Sequence, residues 1–124
     1  MILQKLIKKN NFEDEDILTK EELIINLRNQ INCLYEYSTD TLEKILNLEN
    51  ELKNLEKSRI KIEAQAAIAH KKSNHKLYNR AISKLEINDE TYSQTIETIN
   101  SLKEKLAIAV KDIKILEISL DNLS

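Results

Sequence analysis

Few residues in this chain have the types and the spacing that chemistry requires. The only cysteine is Cys33, and the only histidines are His70 and His75. Two histidines five residues apart lie about 140° apart around a helix, so they cannot share a metal ion as an i, i+4 pair does. One cysteine and two histidines do not make a zinc site. We therefore predict no metal and no cofactor, and we expect Cys33 to be a buried or half-buried packing residue.

The acidic residues do not indicate a catalytic or calcium site either. Residues 13–16 are four successive acids, but the Gly and the alternating oxygen ligands of an EF-hand loop are missing. We expect this stretch to be a solvated linker. The chain contains no Gly at all, which excludes the loops that cradle phosphate and dinucleotides. We expect no enzymatic activity.

The composition favours long helices. The 124 residues include no Pro and no Gly, so nothing in the sequence forces a helix to end. No run of about 20 apolar residues is present, and the first residues do not have the charge order of a signal peptide. A single cysteine suits a reducing compartment. We expect a cytoplasmic protein.

The last part of the chain carries an unbroken heptad pattern. Apolar or small residues recur at alternating steps of three and four, which form the a/d stripe of a coiled coil, here called a seam. A stretch of polar composition at 88–91 suggests a break, but the pattern passes through it. We call this stripe the second seam, because another precedes it in the chain. It consists of Tyr78, Ala81, Leu85, Asn88, Tyr92, Thr95, Ile99, Leu102, Leu106, Ala109, Ile113, Leu116, Leu120 and Leu123.

A lone helix would leave that stripe in water, so a partner helix is needed. A capping box formed by Thr19 and Glu22 predicts a helix that begins near residue 20. A break at 37–39 is an alternative, but the register there is uninterrupted. The first seam consists of Ile24, Leu27, Ile31, Leu34, Ser38, Thr41, Ile45, Leu48, Leu52, Leu55, Arg59, Ile62, Ala66 and Ala69.

Between the two seams, residues 70–76 are the most polar and least periodic stretch of the chain. Ser73 and Asn74 are turn formers, and either can cap a following helix. A reversal between them places residue i opposite residue 147 − i, which brings the polar residues Arg59 and Asn88 together. Reversals one heptad away separate this pair and use poorer turn residues.

These patterns predict an all-α fold. We expect a long antiparallel helical hairpin, a coiled coil, over residues 19–124 with its turn near 72–75. A short N-terminal segment with the acidic linker precedes it over residues 1–18. The alternatives are one helix over 20–87 with a short return, and a self-associating rod without a turn.

Charge falls into three blocks. Residues 53–84 carry nine basic and two acidic side chains, a net charge of +7. Residues 1–52 carry six basic and eleven acidic side chains, a net charge of −5. Residues 85–124 carry four basic and eight acidic side chains, a net charge of −4. A hairpin would gather the basic block at its turn, as a basic tip that can meet an anionic membrane, nucleic acid or an acidic protein. A solvated turn with no partner is the alternative, and the scarcity of nearby aromatics makes nucleic acid the less favoured ligand. The basic tip consists of Lys57, Arg59, Lys61, Lys71, Lys72, Lys76, Arg80 and Lys84.

Several apolar residues lie off both seams, among them Ile87, Ile108 and Ile115, which form a candidate partner surface. Two helices that share one stripe each bury little surface. We therefore expect a further helix, supplied by residues 2–9, a second copy or a partner protein. In the last two cases the chain is a homo- or hetero-oligomer that assembles into a larger helical bundle.

The segment 76–86, KLYNRAISKLE, resembles the small helical chaperones of type III secretion filament subunits. The expected hairpin is also similar to the stalk proteins of type III and flagellar export, which engage the export ATPase. Both resemblances imply a cytoplasmic assembly factor that binds proteins by helix packing. The leading hypothesis is thus a non-enzymatic coiled-coil adaptor or secretion-type chaperone. Two others remain open: a peripheral binder of anionic surfaces through the basic tip, and a structural or virion-type oligomer.

Overall fold

The computed structural model describes residues 18–124, which form two helices and no strand. Helix α1 spans Lys20–Lys71 and helix α2 spans His75–Leu123. The helices run antiparallel and pack against each other, which confirms the predicted all-α helical hairpin. Both helices are continuous, so neither the break at 37–39 nor the one at 88–91 occurs. The predictions for residues 1–17, including a helix over 2–9 and the acidic linker, lie outside the described residues.

The start of α1 follows from its cap. The backbone N–H of Glu22 donates to Oγ1 of Thr19 at 3.1 Å, and the N–H of Leu23 donates to the Thr19 carbonyl at 3.0 Å. Thr19 therefore satisfies N–H groups that have no partner within the helix. Glu21 and Glu22 place negative charge in the first turn, where the helix dipole favours it.

The turn between the helices is a Schellman motif built without glycine. The N–H of Asn74 donates to the Ala69 carbonyl at 2.9 Å, and the N–H of Ser73 donates to the His70 carbonyl at 3.0 Å. Ser73 has φ of 56°, in the left-handed region that glycine usually supplies. Oδ1 of Asn74 then accepts the N–H of Leu77 at 3.1 Å, so Asn74 also caps α2.

The hairpin comprises two compact units, which are described separately. The terminal unit combines residues 18–42 with Glu104–Ser124, and the turn unit is Glu43–Lys103. In the terminal unit Leu27, Ile31 and Leu116 form a buried cluster, and Leu34 and Leu120 are among the half-buried side chains packed against it. The turn unit buries smaller seam residues beside the turn, namely Ala66, Ala69 and Ala81.

Two buried threonines occupy seam positions, and the hydroxyl of each donates a hydrogen bond. Oγ1 of Thr41 donates to the Tyr37 carbonyl at 2.7 Å, and Oγ1 of Thr95 donates to the Thr91 carbonyl at 2.8 Å. Each bond stays within its own helix, so neither hydroxyl needs a partner on the facing helix. Threonine can therefore occupy these seam positions with its hydroxyl satisfied, whereas the buried hydroxyl of the seam residue Ser38 has no hydrogen-bond partner within residues 18–124.

Candidate interaction surfaces

The residues that suggested chemistry are not gathered into a site. Cys33 is exposed on α1, so the prediction that it packs was wrong, because it lies two residues past the seam residue Ile31. His70 lies in the last turn of α1 and His75 begins α2, so the angle expected for two histidines on one helix does not apply to them. The His70 ring instead lies 5.7 Å from that of Tyr78. Within residues 18–124 no group of three or more His, Cys, Asp or Glu could hold a metal ion.

The seam residues lie between the helices. Every residue of the first and second seams is buried or half-buried, and every buried residue in the described part of the chain is a seam residue. Because these seam residues are covered by the contact between α1 and α2, they are not available to another protein. Any interaction surface must therefore lie off the seams.

The polar layer of the turn unit differs in detail from the expected pairing of Arg59 with Asn88. Nδ2 of Asn88 donates to the Leu55 carbonyl at 3.3 Å, across to the facing helix. The Arg59 guanidinium instead pairs with Glu63 and with Asp89, both at 3.0 Å. The layer therefore forms at the expected level, but Arg59 reaches past Asn88 to the neighbouring carboxylate. The reason is charge, since a guanidinium bonds a carboxylate more strongly than an amide.

In each unit a tyrosine makes a side-chain hydrogen bond across to the facing helix. The hydroxyl of Tyr35 donates to Glu117 at 3.2 Å in the terminal unit, and that of Tyr92 donates to Glu56 at 3.0 Å in the turn unit. The hydrogen bond to Glu117, followed by that carboxylate's charge, raises the pKa of Tyr35. The hydrogen bond to Glu56, followed by burial, raises the pKa of Tyr92.

Seven of the eight basic-tip residues are exposed, and Arg59 is the exception. Arg59 is half-buried and takes part in both ion pairs found in the described residues. Residues 64–85 contain no acid, so the cations beside the turn have no carboxylate near them in the sequence. The first turn of α2 also lacks acidic residues.

Exposed apolar side chains also lie on α2 in the terminal unit, on either side of the seam residue Ala109 and further along at Ile118. Ile108, Val110 and Ile118 are 60%, 51% and 59% exposed, and we call them the outer patch. Of the three isoleucines singled out from the sequence, Ile108 belongs to this patch, Ile115 is half-buried and Ile87 is exposed in the turn unit. Val110 and Ile118 were missed, although each lies two or three residues from Ile108 or Ile115 and on neither seam.

Comparisons with known proteins identify no relative: no protein-family model, curated protein or solved structure matches this chain. None of the helices in residues 18–124 is long and apolar enough to cross a membrane. The two exposed surfaces, the basic tip and the outer patch, are therefore interpreted from their own chemistry.

Proposed function

We propose that this chain is a non-enzymatic coiled-coil interaction protein, an adaptor or assembly factor that works in the cytoplasm. Its outer patch packs against a helix of a partner protein and so completes a larger helical bundle. A chaperone of secreted subunits is one protein of this kind. The single observation that supports the proposal is the outer patch itself.

The patch is suited to helix packing because it is aliphatic, and two of its members, Ile108 and Val110, line a shallow groove. Ala107, Lys111 and Lys114 border the groove beside Ile108 and Val110. Each large aliphatic side chain moved from water into an interface contributes roughly 1.5–3 kcal/mol. The lysines at the border can keep their charge in water while their stems cover apolar surface.

The experiment is an affinity capture from the native source with the full tagged chain as bait. Ile108→Asp combined with Ile118→Asp should reduce the captured partner at least about tenfold, because both changes place a charge in the apolar contact. A matched control, Asn50→Asp with Asn100→Asp, adds the same charge at exposed polar positions and should capture as much as the natural chain. Equal helicity by circular dichroism shows that both baits are folded.

Capture of the same proteins in the same amounts by the patch variant would contradict the proposal. Light scattering over a concentration series addresses the structural oligomer, the rival from another class. A chain that stays monomeric throughout rules that reading out. Self-association abolished by the patch variant instead makes a second copy the partner.

A further inference from the structure

The turn unit carries opposite charge on its two faces. In a heptad pattern the residue directly before each seam residue lies on one side of the helix, and the residue directly after it lies on the other. In an antiparallel pair, the positions that precede seam residues on both helices share one face of the hairpin, here called the preceding face. The positions that follow seam residues share the other, here called the following face. Glu56 and Asp89 are following positions, and their cross-helix bonds to Tyr92 and Arg59 are consistent with this assignment.

The following face is acidic and largely paired. In the turn unit it carries two lysines, Lys53 and Lys103, against five acids. Three of these acids are bound to side chains, namely Glu56, Glu63 and Asp89. This face therefore has little free positive charge to offer a ligand.

The preceding face is the opposite. Beside the turn it combines three cations with three large aliphatic side chains, all of them exposed, and it carries no acid there. Glu51 is its one acid within the turn unit, and it lies ten residues before Lys61. We call this part of the preceding face the basic face, and it consists of Lys61, Ile68, Leu77, Arg80, Lys84 and Ile87.

The arrangement of the aliphatic residues decides what this face fits. Ile68 and Ile87 occupy c positions, which point away from the groove between the helices. The positions nearest the groove are Ser58, Gln65, Leu77 and Lys84. A third helix laid in the groove would therefore meet one apolar side chain among polar ones. Cations and exposed aliphatic side chains on one face match an anionic, partly apolar surface.

Nucleic acid fits this face less well. Base stacking needs aromatic side chains or arginines, and the face has no aromatic residue and one arginine, Arg80. Exposed aliphatic side chains such as Ile68 gain nothing from a phosphate backbone. At an anionic bilayer the same side chains enter the headgroup and acyl boundary while the cations attract the lipid charge.

We propose that the basic face is a docking surface for an anionic lipid bilayer. The hairpin lies with this face on the membrane, and Ile68, Leu77 and Ile87 sit at the headgroup boundary. Each basic side chain near such a surface contributes roughly fivefold to the partition coefficient. The protein is held at the surface reversibly, by charge and a small apolar area.

The test measures co-sedimentation of the full chain with vesicles of phosphatidylcholine, alone or with about 30% phosphatidylserine, at rising salt. We expect binding to the anionic vesicles only, weakening steeply with salt. Arg80→Gln with Lys84→Gln should weaken it roughly 30-fold, at about fivefold per cation. The matched control, Lys53→Gln with Lys103→Gln, removes equal charge from the other face and should weaken it less than about threefold, since that face is screened from the lipid.

A tryptophan probe tests the orientation, because the chain contains no Trp. The emission of Leu77→Trp should move to shorter wavelength when anionic vesicles are added. Ile60→Trp, which directly follows the seam residue Arg59 and so lies toward the other face, should not respond.

Equal losses for the two neutralised pairs would overturn the proposal, because net charge and not the basic face would then control binding. A shift of both tryptophans, or of neither, would also overturn it. Failure to bind anionic vesicles would overturn it as well. If the chain then binds single-stranded RNA tightly, and the Leu77→Ser variant binds it equally tightly, the face is assigned to nucleic acid.

Discussion

At Ser73 the chain adopts a left-handed backbone conformation, with φ of 56°, in a sequence that has no glycine to place there. A side chain in this region clashes with the following carbonyl, whereas glycine has no Cβ to clash. Ser73→Gly should therefore raise the free energy of unfolding by about 0.5–1 kcal/mol, after the larger backbone entropy of glycine is deducted. Urea unfolding followed by circular dichroism measures the change.

The matched control is Ser93→Gly, at an exposed position inside α2. There the backbone is helical, so glycine should lower the free energy of unfolding by about 0.5 kcal/mol. If both substitutions destabilise alike, the turn does not have the geometry described.

The bond between Tyr92 and Glu56 gives a second prediction at this scale. The hydrogen bond favours the neutral phenol, so the pKa of Tyr92 lies above its ordinary value of about 10. Because the folded pKa is the higher one, the stabilising contribution is fully present below about pH 10 and is lost as the pH rises through the raised value. Glu56→Gln should lower the pKa of Tyr92 back toward the ordinary value. The ultraviolet titration curve of the tyrosines measures this change.

Glu86→Gln is the control, since it removes a charge from an exposed carboxylate for which the structure gives no tyrosine partner. Its curve should match that of the natural chain. A Glu56→Gln curve that also superimposes on the natural one would show that the bond does not persist in solution.

At the scale of the helices, Asn88 is a buried amide in the second seam, at the level of Arg59 in the first. It is 8% exposed, and its amide bonds the Leu55 carbonyl, which α1 already employs in its own hydrogen bonding. A buried polar residue at a seam position costs stability but specifies register. Asn88→Leu should therefore raise the free energy of unfolding by about 1 kcal/mol and also increase self-association, because alternative registers become acceptable.

Chemical unfolding and light scattering measure the two effects. Asn79→Leu, at an exposed position of α2, should change stability by less than about 0.5 kcal/mol. A strongly destabilised Asn88→Leu would mean that the amide contributes net stability and does not act mainly on register.

Much of this architecture could be predicted from the sequence because a coiled coil depends on one periodic pattern. The steps of three and four from Ile24 and from Tyr78 predicted the residues that are now buried or half-buried, with Arg59 and Asn88 at one level. The partners of Arg59 could not be predicted, since they depend on how far its side chain reaches. Cys33 was misassigned because packing was inferred from residue type rather than from its position off the seam.

The surfaces were predicted less completely than the seams. The basic tip follows from charge counting, but its division into an acidic and a basic face requires knowing which positions of α1 and α2 share a side. Val110 and Ile118 complete the outer patch only once the exposed side of α2 is known. Surface residues have no repeating requirement of burial, so a single sequence carries a weak signal for them.

At the scale of the whole molecule, pairing of the two seams within one chain is the central claim, since it determines both faces of the turn unit. The most direct test is disulfide formation between Leu48→Cys and Ile99→Cys, with Cys33→Ser to remove the natural thiol. Leu48→Cys with Tyr92→Cys, one heptad out of register, is the control. We predict rapid oxidation of the first pair to a monomeric cross-linked chain and little of the second. Covalent dimers, or equal cross-linking of both pairs, would contradict the account.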